Sequence, residues 1–122
     1  MRAGAHIMLD GGQGAQAIDH WQRAFPDLSA EADADQPGLW TLTFAGMTFT
    51  LFDSPEPHDF APTPSWSMMV DVDRAQDVEG PTAILAEGGK TLMPLDRYDF
   101  ADRFAWVEDR FGISWQIRFI AP

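Results

Sequence analysis

The chain contains no cysteine. That absence excludes thiol catalysis, cysteine-ligated zinc or iron–sulfur centres and any disulfide framework, and it agrees with a reducing, cytoplasmic compartment. Basic residues are scarce as well: 8 Lys and Arg stand against 19 Asp and Glu, giving a formal charge of −11 and a pI near 4.3. A field of that sign repels phosphate backbones and anionic membrane surfaces, so neither nucleic acid nor membrane is expected as a partner. No apolar run approaches the ~20 residues that a membrane helix needs. Residues 1–6 lead straight into a strand-like pattern, without the basic-then-apolar order of a secretory leader. Also missing are a G-x-S-x-G elbow and a Ser/His/Asp set at catalytic spacing. Gly11-Gly12-Gln13-Gly14 lacks the G-x-G-x-x-G spacing of a nucleotide loop and reads as a strand-to-helix turn.

What the chain does have is an order of events that occurs twice. Residues 6–10 alternate as a strand does. Ala17, Ile18, Trp21, Ala24 and Phe25 then recur at helical spacing, and Pro26 ends that helix. Residues 28–38 suit an edge strand and a loop. Residues 39–44 and 47–52, rich in Thr and aromatics, flank Ala45-Gly46 as a hairpin. Pro55, Pro57, Pro62 and Pro64 mark the connection between the halves. The second pass predicts a strand over 66–72, a helix within 75–86 stopped by Gly88-Gly89, and a short strand over 90–93. It closes on a hairpin of 104–108 and 113–119 with Asp109-Arg110-Phe111-Gly112 as its turn. The expectation is an α+β fold of β-α-β-β-β twice, one domain over 1–122, with module one about 1–54 and module two about 64–122.

The segment from Phe104 to Ile117, FAWVEDRFGISWQI, resembles the C-terminal signature of the PhnB-like, or demethylubiquinone-methyltransferase-like, branch of the vicinal oxygen chelate superfamily. Residues 17–26 are similar to that branch's first helix, and residues 49–53 with 64–70 to its hairpin exit and fifth strand. The resemblance implies two βαβββ modules forming a curved, partly open mixed sheet around a cavity, commonly completed in a homodimer. The superfamily includes glyoxalase I, extradiol dioxygenases, fosfomycin-modifying transferases and bleomycin-binding resistance proteins. Fold alone therefore does not choose between an enzyme and a binder.

Metalloenzymes of this superfamily take ligands from the first and last strands of each module. Aligning the hairpin glycines Gly46 and Gly112 pairs Thr50 with Gln116, and aligning the opening strands pairs His6 with Ser67. A divalent transition metal wants imidazole and carboxylate. Only His6 qualifies outright; Gln116 is a weak neutral donor, and Thr50 and Ser67 are poor ligands. The expectation is thus a small organic ligand in the inter-module cavity, with no cofactor and no tight metal, at His6, Thr50, Ser67 and Gln116 with Trp40, Trp66 and Trp106. The alternative is a lyase, isomerase or dioxygenase holding a divalent metal through His6 and Gln116. A third reading is a dimeric structural or interaction protein. Period two sets Trp115 opposite Gln116, packing against a helix. Asp109 is expected to hold the last turn through backbone amides, and His20 and His58 to be exposed or to anchor loops.

Overall fold

Alternation in the opening residues becomes strand β1 (His6–Asp10), which buries Ile7 and Leu9 and leaves His6 on the other side. In the computed structural model, which describes residues 1–122, the chain divides into two compact units, Met1–Ala61 and Pro62–Pro122. Their division falls inside the proline-rich segment. The first unit continues with helix α1 (Gly14–Ala24) and strands β2 (Ser29–Ala32), β3 (Leu39–Phe44) and β4 (Met47–Ser54). Its sheet runs β1-β4-β3-β2, with β1 parallel to β4 and the other pairs antiparallel.

One face of that sheet is the core. Leu42, Phe49 and Leu51 are fully buried on it, and Phe25, just past α1, meets Phe44 with ring centroids 4.6 Å apart. Each such side chain contributes about 1.5–3 kcal/mol by leaving water. The β3–β4 hairpin turns on Ala45 (φ 50) and Gly46 (φ 82); two successive positive φ angles match the twist of the flanking strands.

The start of α1 is held from a distance. No local side chain caps it; instead the Asp53 carboxylate of β4 accepts the Gly12 N–H at 3.2 Å and the Gly14 N–H at 3.0 Å. The glycine-rich stretch is therefore a strand-to-helix turn, its amides taken by a carboxylate where a phosphate loop would offer them to a ligand.

His20 departs from expectation. It is 2 % exposed, because Gly14, Ala17, His20, Trp21 and Ala24 together make a buried stripe wider than the apolar residues alone suggest. His58 does anchor its loop: its backbone N–H donates to Asp10, and its ring nitrogen lies 2.9 Å from the Ser54 hydroxyl.

The second unit repeats the order. It comprises β5 (Met68–Asp71), a 3-10 turn (Ala75–Val78) running into α2 (Glu79–Leu85), β6 (Lys90–Tyr98), β7 (Ala101–Glu108) and β8 (Ser114–Phe119). Sheet order is β5-β8-β7-β6, again with one parallel pair, β5 and β8. The core here is Met68, Val70, Val78, Leu85, Val107, Trp115 and Ile117.

Three strands differ from expectation, and the first, β7, starts at Ala101 where 104 was expected. β5 starts at Met68, leaving Trp66 in a preceding turn where its N–H donates to the Thr63 carbonyl. β6 runs for 9 residues, through Pro94, with register shifts on the way. It is the outer strand of its sheet, where a missing N–H and bulges are tolerated. Tyr98, Phe100 and Phe104 pack ring against ring at its turn, with centroids 4.9–5.6 Å apart.

Candidate functional site

Strand register places the first-unit candidates without ambiguity. His6 is the Cα partner of Thr50, and Thr50 of Thr41, so these three line up across β1, β4 and β3 on the sheet face away from α1. His6 Nδ1 lies 2.6 Å from Thr50 Oγ1. Beside the pair is a depression of about 260 Å³ lined by Arg2, Gly4, His6, Thr41, Thr48 and Thr50. The 2–5 segment lies close to β4: the Thr50 N–H donates to the Ala5 carbonyl at 3.0 Å, and a Cβ on Gly4 would sit 2.9 Å from the Thr48 carbonyl oxygen.

The imidazole–hydroxyl pair always keeps a hydrogen to give away. If Thr50 donates to Nδ1, Nε2 carries the ring proton; if Nδ1 donates to Thr50, the hydroxyl hydrogen is released. Either way one hydrogen of a pair that lines the depression is left over.

Trp40 is not part of this arrangement. It is the neighbour of Thr41 on β3, hence on the opposite face with Leu42, and its ring lies over Gly14, where an added Cβ would come 2.6 Å from the ring edge. The ring that sequence reasoning grouped with His6 and Thr50 instead packs on the start of α1.

In the second unit four side chains form one chain of hydrogen bonds. Gln116 Nε2 donates to Ser67 Oγ at 3.1 Å, Ser67 Oγ lies 2.6 Å from Ser114 Oγ, and Trp106 Nε1 donates to Ser114 Oγ at 2.7 Å. Trp106 and Gln116 are Cα partners, so Ser67, Trp106 and Gln116 come together as a group. Trp66, 45 % exposed, lies outside that chain of bonds. The pairing of His6 with Ser67 shifts by two residues: Met69, not Ser67, is the Cα partner of Gln116. Because side-chain facing has a period of two, the shift leaves Ser67 on the Gln116 face.

Trp115 lies on the opposite, buried face, its indole N–H donating to Asp109 Oδ2 at 2.9 Å. Asp109 Oδ1 accepts the N–H groups of Phe111 and Ile113 at 2.9 and 3.0 Å. This carboxylate holds the last turn.

The donors within reach decide what these clusters can bind. No group of three or more His, Asp or Glu side chains that could hold a metal ion is assembled. Thr50 is engaged with His6, and Gln116 turns its amide nitrogen, which has no lone pair to give, toward Ser67. Taken unit by unit, one imidazole beside a hydroxyl, or an amide beside hydroxyls, falls short of the imidazole and carboxylate that a divalent transition metal prefers.

Sequence reasoning missed Ser114, Thr41 and Arg2. Ser114 could have been found two residues before Gln116 on the same strand face. Thr41 follows from counting outward from the Ala45-Gly46 turn to the residue opposite Thr50. Nothing in the sequence signals Arg2, which reaches the depression through a segment that is not a strand.

Comparison with known proteins supplies the remaining finding. Residues 5–118 match the family described as 3-demethylubiquinone-9 3-methyltransferase. Among solved structures, a Bacillus cereus protein named for PhnB and for that methyltransferase is 27% identical, covering 98% of this chain and 99% of its own, with a TM-score of 0.85. A Pseudomonas aeruginosa protein is 21% identical over 98% of each chain, with a TM-score of 0.79. The Listeria monocytogenes fosfomycin resistance protein FosX is 10% identical over 99% of this chain and 91% of its own, with a TM-score of 0.69, and shares the fold. No curated protein matches the sequence.

Proposed function

Because the chain belongs to the 3-demethylubiquinone-9 3-methyltransferase family, the PhnB-like branch of the vicinal oxygen chelate superfamily, we propose that it binds a small organic ligand without a tight metal ion. The observation that carries this reading is the His6–Thr50 pair at 2.6 Å, placed at the edge of a depression of about 260 Å³. That volume falls just below the ~300 Å³ at which pockets for drug-sized ligands begin, so the ligand is small. Convergent polar groups there fix its orientation.

The catalysis in the family's name is not carried over to this chain. Both sheets are mixed and four-stranded, unlike the doubly wound parallel sheet on whose strand ends nucleoside cofactors bind. The same reading makes the protein a cytoplasmic homodimer, in keeping with its cysteine-free composition; no helix is long and apolar enough to cross a membrane. Gel filtration with light scattering checks the dimer.

The decisive experiment has two arms. Protein purified without added ions is titrated with zinc, nickel, manganese and iron, and no stoichiometric binding is expected. A stoichiometric ion that His6→Ala abolishes would replace this reading with a metal-dependent lyase, isomerase or dioxygenase. In parallel, tryptophan fluorescence and thermal shift are followed against small carboxylates, dicarbonyls, aromatics and glycopeptides. At least one class should bind wild type and lose affinity in His6→Ala; silence across the panel would leave a structural or interaction protein.

A further inference from the structure

We infer that the ligand taken by the His6–Thr50 depression carries an oxyanion, a carboxylate or a phosphate, with Arg2 as its counter-ion; this rests on the binding reading above and names the ligand's class. The first ground is an exclusion. The chain has 19 Asp and Glu, yet none of them lines the depression, whereas Arg2 and His6 both do. In a protein of charge −11, a carboxylate-free concavity lined by an arginine is a local reversal of sign.

The second ground is that Arg2 stands apart from the four ion pairs formed by Arg74, Lys90, Arg103 and Arg118. Arg74 pairs with Asp77, Lys90 with Glu108, Arg103 with Glu79 and Arg118 with Asp71, and Arg2 is in none of these pairs. A guanidinium offers five donors in a planar fork that matches a carboxylate or phosphate.

The third ground is the chemistry of the remaining lining. Thr41, Thr48 and Thr50 carry hydroxyls on the same face, and the His6–Thr50 pair keeps a hydrogen to donate in either tautomer. Beside the apolar Ala3, Ala5 and Phe49, the polar part of the lining is thus rich in donors for an anionic acceptor. The nearest acid by strand position is Glu31, Cα partner of Thr41 on the outer strand β2. It lies on the far side of Thr41 from His6, so it repels an anion that extends across the sheet and favours one seated toward Arg2 and β1.

Malonate and inorganic phosphate serve as probes, with malonamide as the neutral counterpart of malonate. Binding to the full chain is followed by the amide resonances of Thr41, Thr48 and Thr50 and the ring resonances of His6. Malonate, phosphate or both should shift this set at concentrations where malonamide does not. Arg2→Gln should weaken the responding anion about tenfold, the equivalent of ~1.4 kcal/mol, and Arg2→Lys should hold it within about threefold. Arg2 is exposed, so neither variant threatens the fold.

If malonamide binds as well as malonate, or Arg2→Gln leaves the anion's affinity unchanged, the oxyanion inference fails while the binding reading stands. If neither probe moves these resonances and the broader panel is silent too, both fall together.

Discussion

Replacing Asp109 tests the physical account of the last hairpin most sharply, because one buried carboxylate there satisfies three donors. It is 2 % exposed and accepts the N–H groups of Phe111 and Ile113 on one oxygen and the Trp115 indole on the other. Hydrogen bonds to a charged acceptor contribute about 1.5–3 kcal/mol each, and an orphaned buried donor costs about 1–3 kcal/mol. The losses are not additive, since the turn relaxes and admits water. Asp109→Ala is therefore expected to cost about 3–5 kcal/mol, and Asp109→Asn about 1.5–3 kcal/mol.

Asparagine keeps the oxygen that serves the two backbone amides but sets its NH₂ against the indole N–H. Urea unfolding by far-ultraviolet circular dichroism gives the free energies, and thermal unfolding should fall by about 3–5 °C per kcal/mol in a chain of this size. The mechanism has a signature of its own: in a Trp115→Phe background the donor clash is absent, so Asp109→Asn should cost less there than in wild type. Equal costs in both backgrounds, or an Asp109→Ala protein within about 0.5 kcal/mol of wild type, would refute this account of the turn.

Three further perturbations follow from geometry. A Cβ at Gly89 would overlap the Glu108 carbonyl oxygen and come within 3.0 Å of the Asp109 backbone, so Gly89→Ala should cost about 3 kcal/mol or more. Gly80, with nothing within 4 Å of its added Cβ in α2, should gain about 0.5–1 kcal/mol as Ala; thermal melts compare the two. Asp53→Ala releases the Gly12 and Gly14 amides and should cost about 1–2 kcal/mol, with faster hydrogen exchange confined at first to the opening turn of α1.

The Asp77 carboxyl is held below its ordinary value by its hydrogen bond to Arg74, and then by that guanidinium's charge. Its contribution is present above the unfolded pKa and lost as pH falls through the lower, folded one. Arg74→Gln should move the Asp77 titration upward by NMR, and an unmoved titration would count against the pairing.

The order of elements was legible because it is written in signals that local sterics enforce. The Ala45-Gly46 turn needs two positive φ angles, and its flanking Thr and aromatic residues favour a pleated surface, so β3 and β4 came out within two residues of their ends. β6 could not be read in full: Pro94 argues against a strand unless the strand is known to be outermost, and that is a fact of tertiary pairing. His20 failed for a related reason. A polar residue inside a helical pattern is assigned to the wet face by default, yet it stands at the i+3 position of a stripe that begins at Ala17. For the site, parity sufficed: His6 with Thr50, and Ser67 with Gln116, share faces because period two survives any even shift of register. The same parity sets Trp40 opposite Thr41, so its place on the helix side was available to a stricter count outward from the turn.

The two halves fill the repeated positions with different chemistry. In the second unit most of the cluster is bonded internally: the Trp106 indole and one N–H of Gln116 both end on serine oxygens that are bonded to each other, which leaves over one hydroxyl hydrogen and the second Gln116 N–H. Such a network ties Ser67 to β7 and β8 and keeps for a ligand the carbonyl oxygen and second N–H of Gln116 and one hydroxyl hydrogen. In the first unit the corresponding face carries an imidazole that meets Thr50 through Nδ1, two further threonines and an arginine outside the chain's ion pairs. Donors left unspent beside a concavity are what a ligand can use, whereas donors satisfied within the sheet are what the fold uses. The two faces thus differ in charge: the first carries an imidazole and a guanidinium beside its depression, the second hydroxyls, an indole and an amide, and that difference is why the oxyanion inference turns to the half that begins with His6.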